Sequence, residues 1–270
     1  MYKLIAIDMD GTLLRPDHTI SQHTKDTIKK AQAKGVKVVL ATGRPLDGVK
    51  KYLKELDMIT NEDYLVCFNG ALAQNIGTEE VLHHITLKGK DLIELHELAQ
   101  KLGVNIHAFS KDGCITPELT KYAKHESELN DIEVNVIDYS TIDPEEDIVK
   151  IMMTEEGDKL QKAIDQFPEE LYEKYTVLRS APYFVEFLNK NANKGEGVRA
   201  LAERMNVAQE HIMTFGDAGN DKHMIEYAGM GVAMGNAFEE IKEIANFITK
   251  TNSEDGVAFG IEKFVLNAGE

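Results

Sequence analysis

The sequence predicts an α/β protein built on a mostly parallel sheet, with a second α/β domain inserted into the first. Three observations carry that expectation. Unbroken apolar strands (KLIAI, VKVVLAT, YLVCFNGA) alternate with helix-length stretches at the start of the chain. Strands of that kind are buried on both faces and belong to parallel sheets covered by helices. The habit returns near the end, with HIMTFGD, GVAM and FITK. Between about 83 and 190 the strands lengthen and several alternate, as in a sheet with one wetter face.

The elements follow in order. A strand at KLIAI leads to a helix over 21–34, with Ser21 as its cap and Gly35 closing it. VKVVLAT is the second strand, a helix covers 45–56, and YLVCFNGA (64–71) is the third strand. In the middle segment EVNVI, IVKIMMT, YTVLRSA and YFVEFLN read as strands, with helices near 91–102, 118–125 and 158–167. Insertion at a surface loop explains why both flanks share one pattern. A helix over 196–205 then precedes HIMTFGD, and one over 221–227 precedes GVAM. Met224, Ile225 and Ala228 form its packing stripe. Asn236 is placed to cap a further helix with Glu239 as its capping-box partner. FITK and the helical VAFGIEKFVL end the pattern.

Composition bounds the function. A chain of 270 residues, 43% hydrophobic and 28% charged, fits a soluble two-domain protein. No apolar run approaches the ~20 residues that span a bilayer, and MYKLIAIDMDG lacks a cleavable signal. Cys67 and Cys114 have no CxxC spacing and give neither a disulfide framework nor a cysteine metal site. A cytoplasmic protein is expected. The formal charge of −16 disfavours nonspecific binding to nucleic acid or an anionic membrane. It leaves an anionic substrate open, because a metal and a few fixed donors invert the field locally.

Four clusters carry chemistry. The first is Asp8-Met9-Asp10-Gly11-Thr12, where a buried strand ends in two carboxylates. In open parallel sheets ligands bind beyond the carboxyl ends of the strands. If the chain stays extended, Asp8 and Asp10 point the same way and suit a hard cation such as Mg²⁺. Asp10 could instead give its backbone carbonyl and keep its side chain for proton transfer, and an N-cap followed by an Asp-Gly turn is the plain alternative. The second is Thr42-Gly43-Arg44, after VKVVL. Thr42 and the Gly43 N–H are donors for a phosphoryl oxygen, and Arg44 is either a substrate clamp or a surface ion pair. The third is Lys194, ahead of a helix, either a compact charge for a phosphate or for Asp8 or a solvated lysine. The fourth is Gly216-Asp217-Ala218-Gly219-Asn220-Asp221, again a strand ending in acid. Asp217 and Asp221 could reach an ion, directly or through water, and Asn220 could orient the lysine or the phosphate. An EF-hand spacing is absent. Together the clusters supply what phosphoryl transfer needs: nucleophile, metal, charge neutraliser and acid.

Other candidates are weaker. The histidines are scattered, with His83 and His84 adjacent and no HExxH. AGMGVAMGNA lacks the GxGxxG spacing, and no GxSxG elbow occurs.

With these residues in view, the chain resembles haloacid dehalogenase superfamily phosphatases of the Cof type, and most closely bacterial sugar phosphatases of that branch. DMDGTLL (8–14) matches the first motif, Thr42-Gly43-Arg44 the second, Lys194-Gly195 the third and GDAGND (216–221) the fourth. Asn69-Gly70-Ala71 and AGMGVAMGNA match the branch as well; Ala218-Gly219 is smaller than many members show. The resemblance implies a Rossmann-like core over 1–82 and 191–270, and a cap over 83–190 that selects the leaving group. It implies Asp8 as nucleophile and Asp10 as acid and base. Mg²⁺ would be held by Asp8, the Asp10 carbonyl and Asp217, with Asp221 directly or through water. Thr42, Gly43 and Asn69 would hold phosphoryl oxygens, Lys194 would neutralise charge and Asn220 would fix geometry. The partner is a small phosphorylated metabolite, with no nucleic acid or membrane, and the protein is a monomer or a weak homodimer.

The cap's polar and aromatic residues include His107, Tyr183 and Glu186, of which Glu186 is a candidate substrate contact. The nearest rival is a phosphosugar mutase, which must grip a second phosphate. The inserted segment has a single arginine, Arg179, which counts against it. Flavin mononucleotide and pyridoxal phosphate are alternative substrates. A receiver-like signalling module and a plain structural domain are the non-enzymatic alternatives.

Overall fold

The computed structural model describes residues 1–110, 113–130 and 132–267. β1 (Leu4–Ile7) is buried along its length. α1 (Gln22–Ala33) starts at Ser21, whose hydroxyl accepts from the Thr24 N–H at 3.0 Å. β2 (Lys37–Ala41) runs parallel to β1. The helix expected over 45–56 is shorter: a tight turn at Asp47–Val49 precedes α2 (Lys50–Glu55). Gly48 in that turn is a poor helix former.

β3 (Tyr64–Cys67) extends the parallel sheet. The strand expected over 64–71 stops there. Phe68, Asn69 and Gly70 take φ of 49°, 54° and 90°. They turn the chain back into β4 (Leu72–Asn75), antiparallel to β3, and then β5 (Val81–His84). Asn-Gly tolerates such left-handed backbone. A Cβ on Gly70 would also lie 1.9 Å from the Asn193 carbonyl oxygen.

The chain forms two compact units, Met1–His84 with Asn193 onward, and Ile85–Ala192. The second contains β6 (Leu87–Lys88), α3 (Gly89–Leu102), β7 (Asn105–Ser110), β8 (Gly113–Thr116) and α4 (Lys121–Asn130). It continues through β9 (Val134–Val136), β10 (Asp147–Thr154), α5 (Gly157–Ile164), α6 (Glu169–Lys174), β11 (Tyr175–Ala181) and β12 (Phe184–Asn189). Its sheet runs β11-β12-β10-β7-β8-β9, with β6 also on β10; among the described residues β8 and β9 pair in parallel and the other strands antiparallel. Ile106, Ile151, Met153 and Phe187 share a core with Leu92, Leu95 and Leu160 of α3 and α5. Period two sends His107, Lys150 and Glu186 to the other face. β7, β8 and α6 are not signalled by the sequence, since these short stretches mix polar and apolar residues.

The first unit resumes with α7 (Lys194–Arg204), β13 (Ile212–Gly216), α8 (Lys222–Tyr227), β14 (Met230–Ala233), α9 (Glu239–Ile244), β15 (Phe247–Ile248) and α10 (Gly256–Ile261). Its sheet order is β15-β14-β13-β1-β2-β3-β4-β5, parallel from β15 to β3. Met224 and Ile225 are buried, as the stripe on α8 requires. α7 begins at Lys194 rather than at 196, with Asn193 as cap. Asn236 does not cap α9. Its side chain donates to the Gly11 carbonyl at 2.8 Å and accepts from the Asn252 N–H at 2.9 Å. β1 lies between β13 and β2, so strand order reverses there. That switch point opens a crevice at the carboxyl ends of β1 and β13.

Candidate active site

Asp8 follows β1 directly and is buried. Its N–H continues the ladder to Phe215 at 3.0 Å, and its carbonyl accepts from Leu13 at 3.1 Å. The chain then turns, so Asp8 and Asp10 do not keep the extended relation expected of them. Gly11 has φ +86°, and a Cβ there would lie 2.3 Å from Oδ2 of Asp217. The carboxylates that converge are Asp8, Asp217 and Asp221, with oxygens within 4.8 Å of one another. The Asp10 side chain is half exposed and turned to Arg44. The Asp10 side chain therefore stands apart from Asp8 and Asp217, contrary to the expected convergence of the three.

Asp217 and Asp221 come from the turn after β13. Thr12 Oγ1 donates to Asp217 Oδ1 at 2.8 Å. Asp221 is fully buried, and its Oδ2 accepts from the N–H groups of Asp217 and Ala218 at 2.9 and 3.1 Å. Its Oδ1 accepts from Lys194 at 2.7 Å. Asp221 therefore braces the loop and the lysine at once.

Lys194 occupies the first turn of α7, where the helix dipole disfavours a cation, and it is fully buried. Neither location suits a structural lysine. Its Nζ donates to Asp8 Oδ1 at 2.5 Å as well as to Asp221. Burial pushes the ammonium toward losing its proton, but Asp221 and Asp8 outweigh that and hold its pKa above the usual value. Burial raises the Asp8 pKa well above the ordinary range, Asp221 and Asp217 raise it further, and Lys194 offsets only part. Asp217 is raised by burial and by Asp221, against the Thr12 bond. Three carboxylates and one ammonium leave two negative charges when all are ionised. A buried all-oxygen set with that surplus fits a hard divalent cation such as Mg²⁺.

The raised pKa values set a pH dependence. A carboxylate whose folded pKa exceeds its unfolded value loses stabilisation as pH rises from the unfolded pKa through the folded one. Metal-free protein should therefore lose stability over that interval. A divalent cation held there would compete with the protons on Asp8 and Asp217, so it should bind more tightly as pH rises and release protons. Titration calorimetry in buffers of different ionisation heat measures the release. Identical heats in all buffers across the acidic range would contradict the linkage.

The remaining predicted residues form an adjoining patch. Thr42 is buried at the end of β2; its Oγ1 accepts from the Arg44 N–H at 3.2 Å and its carbonyl from the Asn69 N–H at 2.9 Å. A Cβ on Gly43 would sit 3.2 Å from Asn69 Nδ2. Asn220 Nδ2 donates to Asn69 Oδ1 at 3.1 Å. Thr42, Gly43, Asn69 and Asn220 are thus tied together beside Asp221. Glu186 belongs to the inserted unit, where it is buried and pairs with Lys150 at 3.3 Å. Thr12, although part of the first cluster, and Asn236 have no expected role at the site and yet support it; nothing local signals their partners, which lie more than 200 residues away in sequence.

A family model described as haloacid dehalogenase-like hydrolase matches residues 5–261. The Bacillus subtilis (strain 168) protein named "Putative phosphatase YxeH" is 42% identical over 268 residues, covering 98% of this chain and 99% of that protein. From the same organism, 5-amino-6-(5-phospho-D-ribitylamino)uracil phosphatase YitU is 31% identical over 266 residues, covering 97% of each chain. A solved haloacid dehalogenase-like hydrolase from Bacteroides thetaiotaomicron superposes with a TM-score of 0.85 at 33% identity, covering 98% of this chain and 100% of its own. Since the match runs from β1 to α10 and takes in all four clusters, the chain belongs to the haloacid dehalogenase-like hydrolases, in their phosphatase branch.

Proposed function

We propose that the protein is a Mg²⁺-dependent phosphomonoester hydrolase acting on small phosphorylated metabolites whose organic part is a sugar or polyol. The observation that carries this reading is Asp8, held at a strand end by a buried ammonium and crowded by two further acids. Crowding like charges costs stability, so the arrangement is one that folding alone would avoid.

Asp8 attacks phosphorus through a carboxylate oxygen and forms an aspartyl-phosphate. The ester P–O bond breaks, and the departing oxygen takes a proton from Asp10. Water then attacks the acyl phosphate, passing its proton to the Asp10 carboxylate, and inorganic phosphate leaves with Asp8 restored. Lys194 neutralises charge on the nucleophile and on the phosphoryl oxygens. Thr42 and the Gly43 N–H receive those oxygens, and Asn69 orients Asn220 beside them. Asp8, the Asp10 carbonyl, Asp217 and Asp221 would hold Mg²⁺, which supplies a fixed charge that offsets repulsion between carboxylate and phosphate.

The substrate reading draws support from YitU, whose name places a phosphate on a ribityl chain. A panel of sugar, polyol, nucleotide, flavin and pyridoxal phosphates, scored as kcat/KM with Mg²⁺, tests it. The expected result is free phosphate, fastest from sugar and polyol phosphates, lost with EDTA and regained with Mg²⁺. An isomerised phosphosugar without free phosphate would make the protein a mutase, and full activity in metal-free enzyme would remove the ion from the assignment.

A further inference from the structure

The two acids of the first motif have separate cations. Asp8 is bonded to Lys194, and Asp10 to Arg44. The second pair is bidentate: Arg44 Nε donates to Asp10 Oδ2 at 2.9 Å and Nη2 to Oδ1 at 2.6 Å. The partners are unequally anchored. The Arg44 side chain is 22% exposed and that of Asp10 is 50% exposed. The Arg44 backbone is anchored by its N–H to Thr42 Oγ1 and by its carbonyl, which accepts from the Phe68 N–H at 3.3 Å. The guanidinium also lies 6.0 Å from the centre of the Tyr52 ring. Arg44 is the fixed member of the pair, and the carboxylate is what it orders.

We propose that Arg44 is a positioning residue: its planar fork holds the ionised Asp10 carboxylate apart from the Asp8–Asp217–Asp221 cluster, and when Asp10 carries its proton the fork keeps one oxygen and leaves the protonated other oxygen facing the departing group. This rests on the assignment of Asp10 as the acid. An exposed carboxylate two residues from a cation site would otherwise be drawn to the cation as an additional ligand. The fork competes for both of its oxygens at once, with directions a lysine does not reproduce. A half-exposed ion pair contributes little to stability, so fold maintenance does not account for the pair. The expected substrate clamp is also accounted for differently: two of the fork's donors already serve Asp10.

Substituted phenyl phosphates of similar shape but differing phenol pKa separate the possibilities, because kcat/KM reports the step in which the phenol departs. An enzyme with a working acid depends weakly on phenol pKa. In Arg44→Ala the loss should be a few-fold for nitrophenyl phosphate and on the order of 10²-fold for phenyl phosphate, within the range of general acid catalysis. Arg44→Lys should lie close to the alanine variant. Asp10→Asn should show the same steepening, and the double variant should be no steeper than Asp10→Asn alone. Partial misfolding scales every substrate equally and leaves the slope unchanged. A uniform loss across the series in Arg44→Ala, with Asp10→Asn steep, would overturn the positioning role and leave Asp10 as the acid. An unsteepened Asp10→Asn would remove the acid assignment itself, and the proposal with it.

Discussion

Asp8→Asn should abolish turnover and leave no phosphoprotein. The amide oxygen occupies the same volume and can still accept from Lys194, but it is not a nucleophile toward phosphorus. The loss in kcat should be at least about 10⁴-fold, as expected when a covalent catalyst is removed and binding groups are kept. The fold should not suffer. Asp8 stands beside Asp217 and Asp221 and carries a raised pKa from burial and from their charges. Neutralising it relieves that crowding, so the thermal midpoint without metal should hold or rise. Rapid quench with radiolabelled substrate reads the intermediate directly. An equal phosphoprotein signal from Asp8→Asn and wild type would refute Asp8 as nucleophile.

The sequence made this acid visible and hid its setting. LIAI running into Asp8 reads as a buried strand ending in charge, and β1 is that strand. The reading failed two residues later. Period two holds only while the chain is extended, and β1 stops at Ile7 before the Gly11 turn at φ +86°. The two acids therefore entered different environments. Asn69-Gly70 carried a turn signal that the apolar run before it obscured, which cost the antiparallel edge of β4 and β5. Arg44 and Lys194 were ambiguous for a shared reason. Whether a cation is solvated or paired depends on partners brought by topology, and those of Lys194 lie 186 and 27 residues away in sequence. Glu186 is expected from the sequence as a substrate contact, but it is buried against Lys150 on the neighbouring strand β10, a partner no motif signals.

Lys194 carries the other large expected effect, and here structure and catalysis part company in a measurable way. A solvated lysine could be replaced with a change within about 0.5 kcal/mol. This one is fully buried between Asp8 and Asp221. Lys194→Met keeps most of the aliphatic volume and removes the charge, leaving buried carboxylates without their cation. Breaking a buried pair from one side costs about 3–5 kcal/mol, so the urea midpoint in EDTA should fall sharply. Saturating Mg²⁺ should recover part of it, since the ion offsets the same charges. Catalysis should not recover. In the proposed mechanism the ammonium serves both the nucleophile and the phosphoryl group, and removing one such fixed donor costs on the order of 10²–10³-fold in rate. Arginine should rescue poorly, because its broad fork does not fit the space of a compact ammonium. The pH profile supplies a signature that lost packing would not. Lys194 holds the Asp8 pKa down against burial and two like charges. Without it Asp8 keeps its proton to higher pH, and the nucleophile must be ionised to attack. The acid limb of kcat/KM should therefore move upward in Lys194→Met. A variant with wild-type kcat/KM and an unshifted acid limb would take Lys194 out of the chemistry and leave it only a structural ion pair.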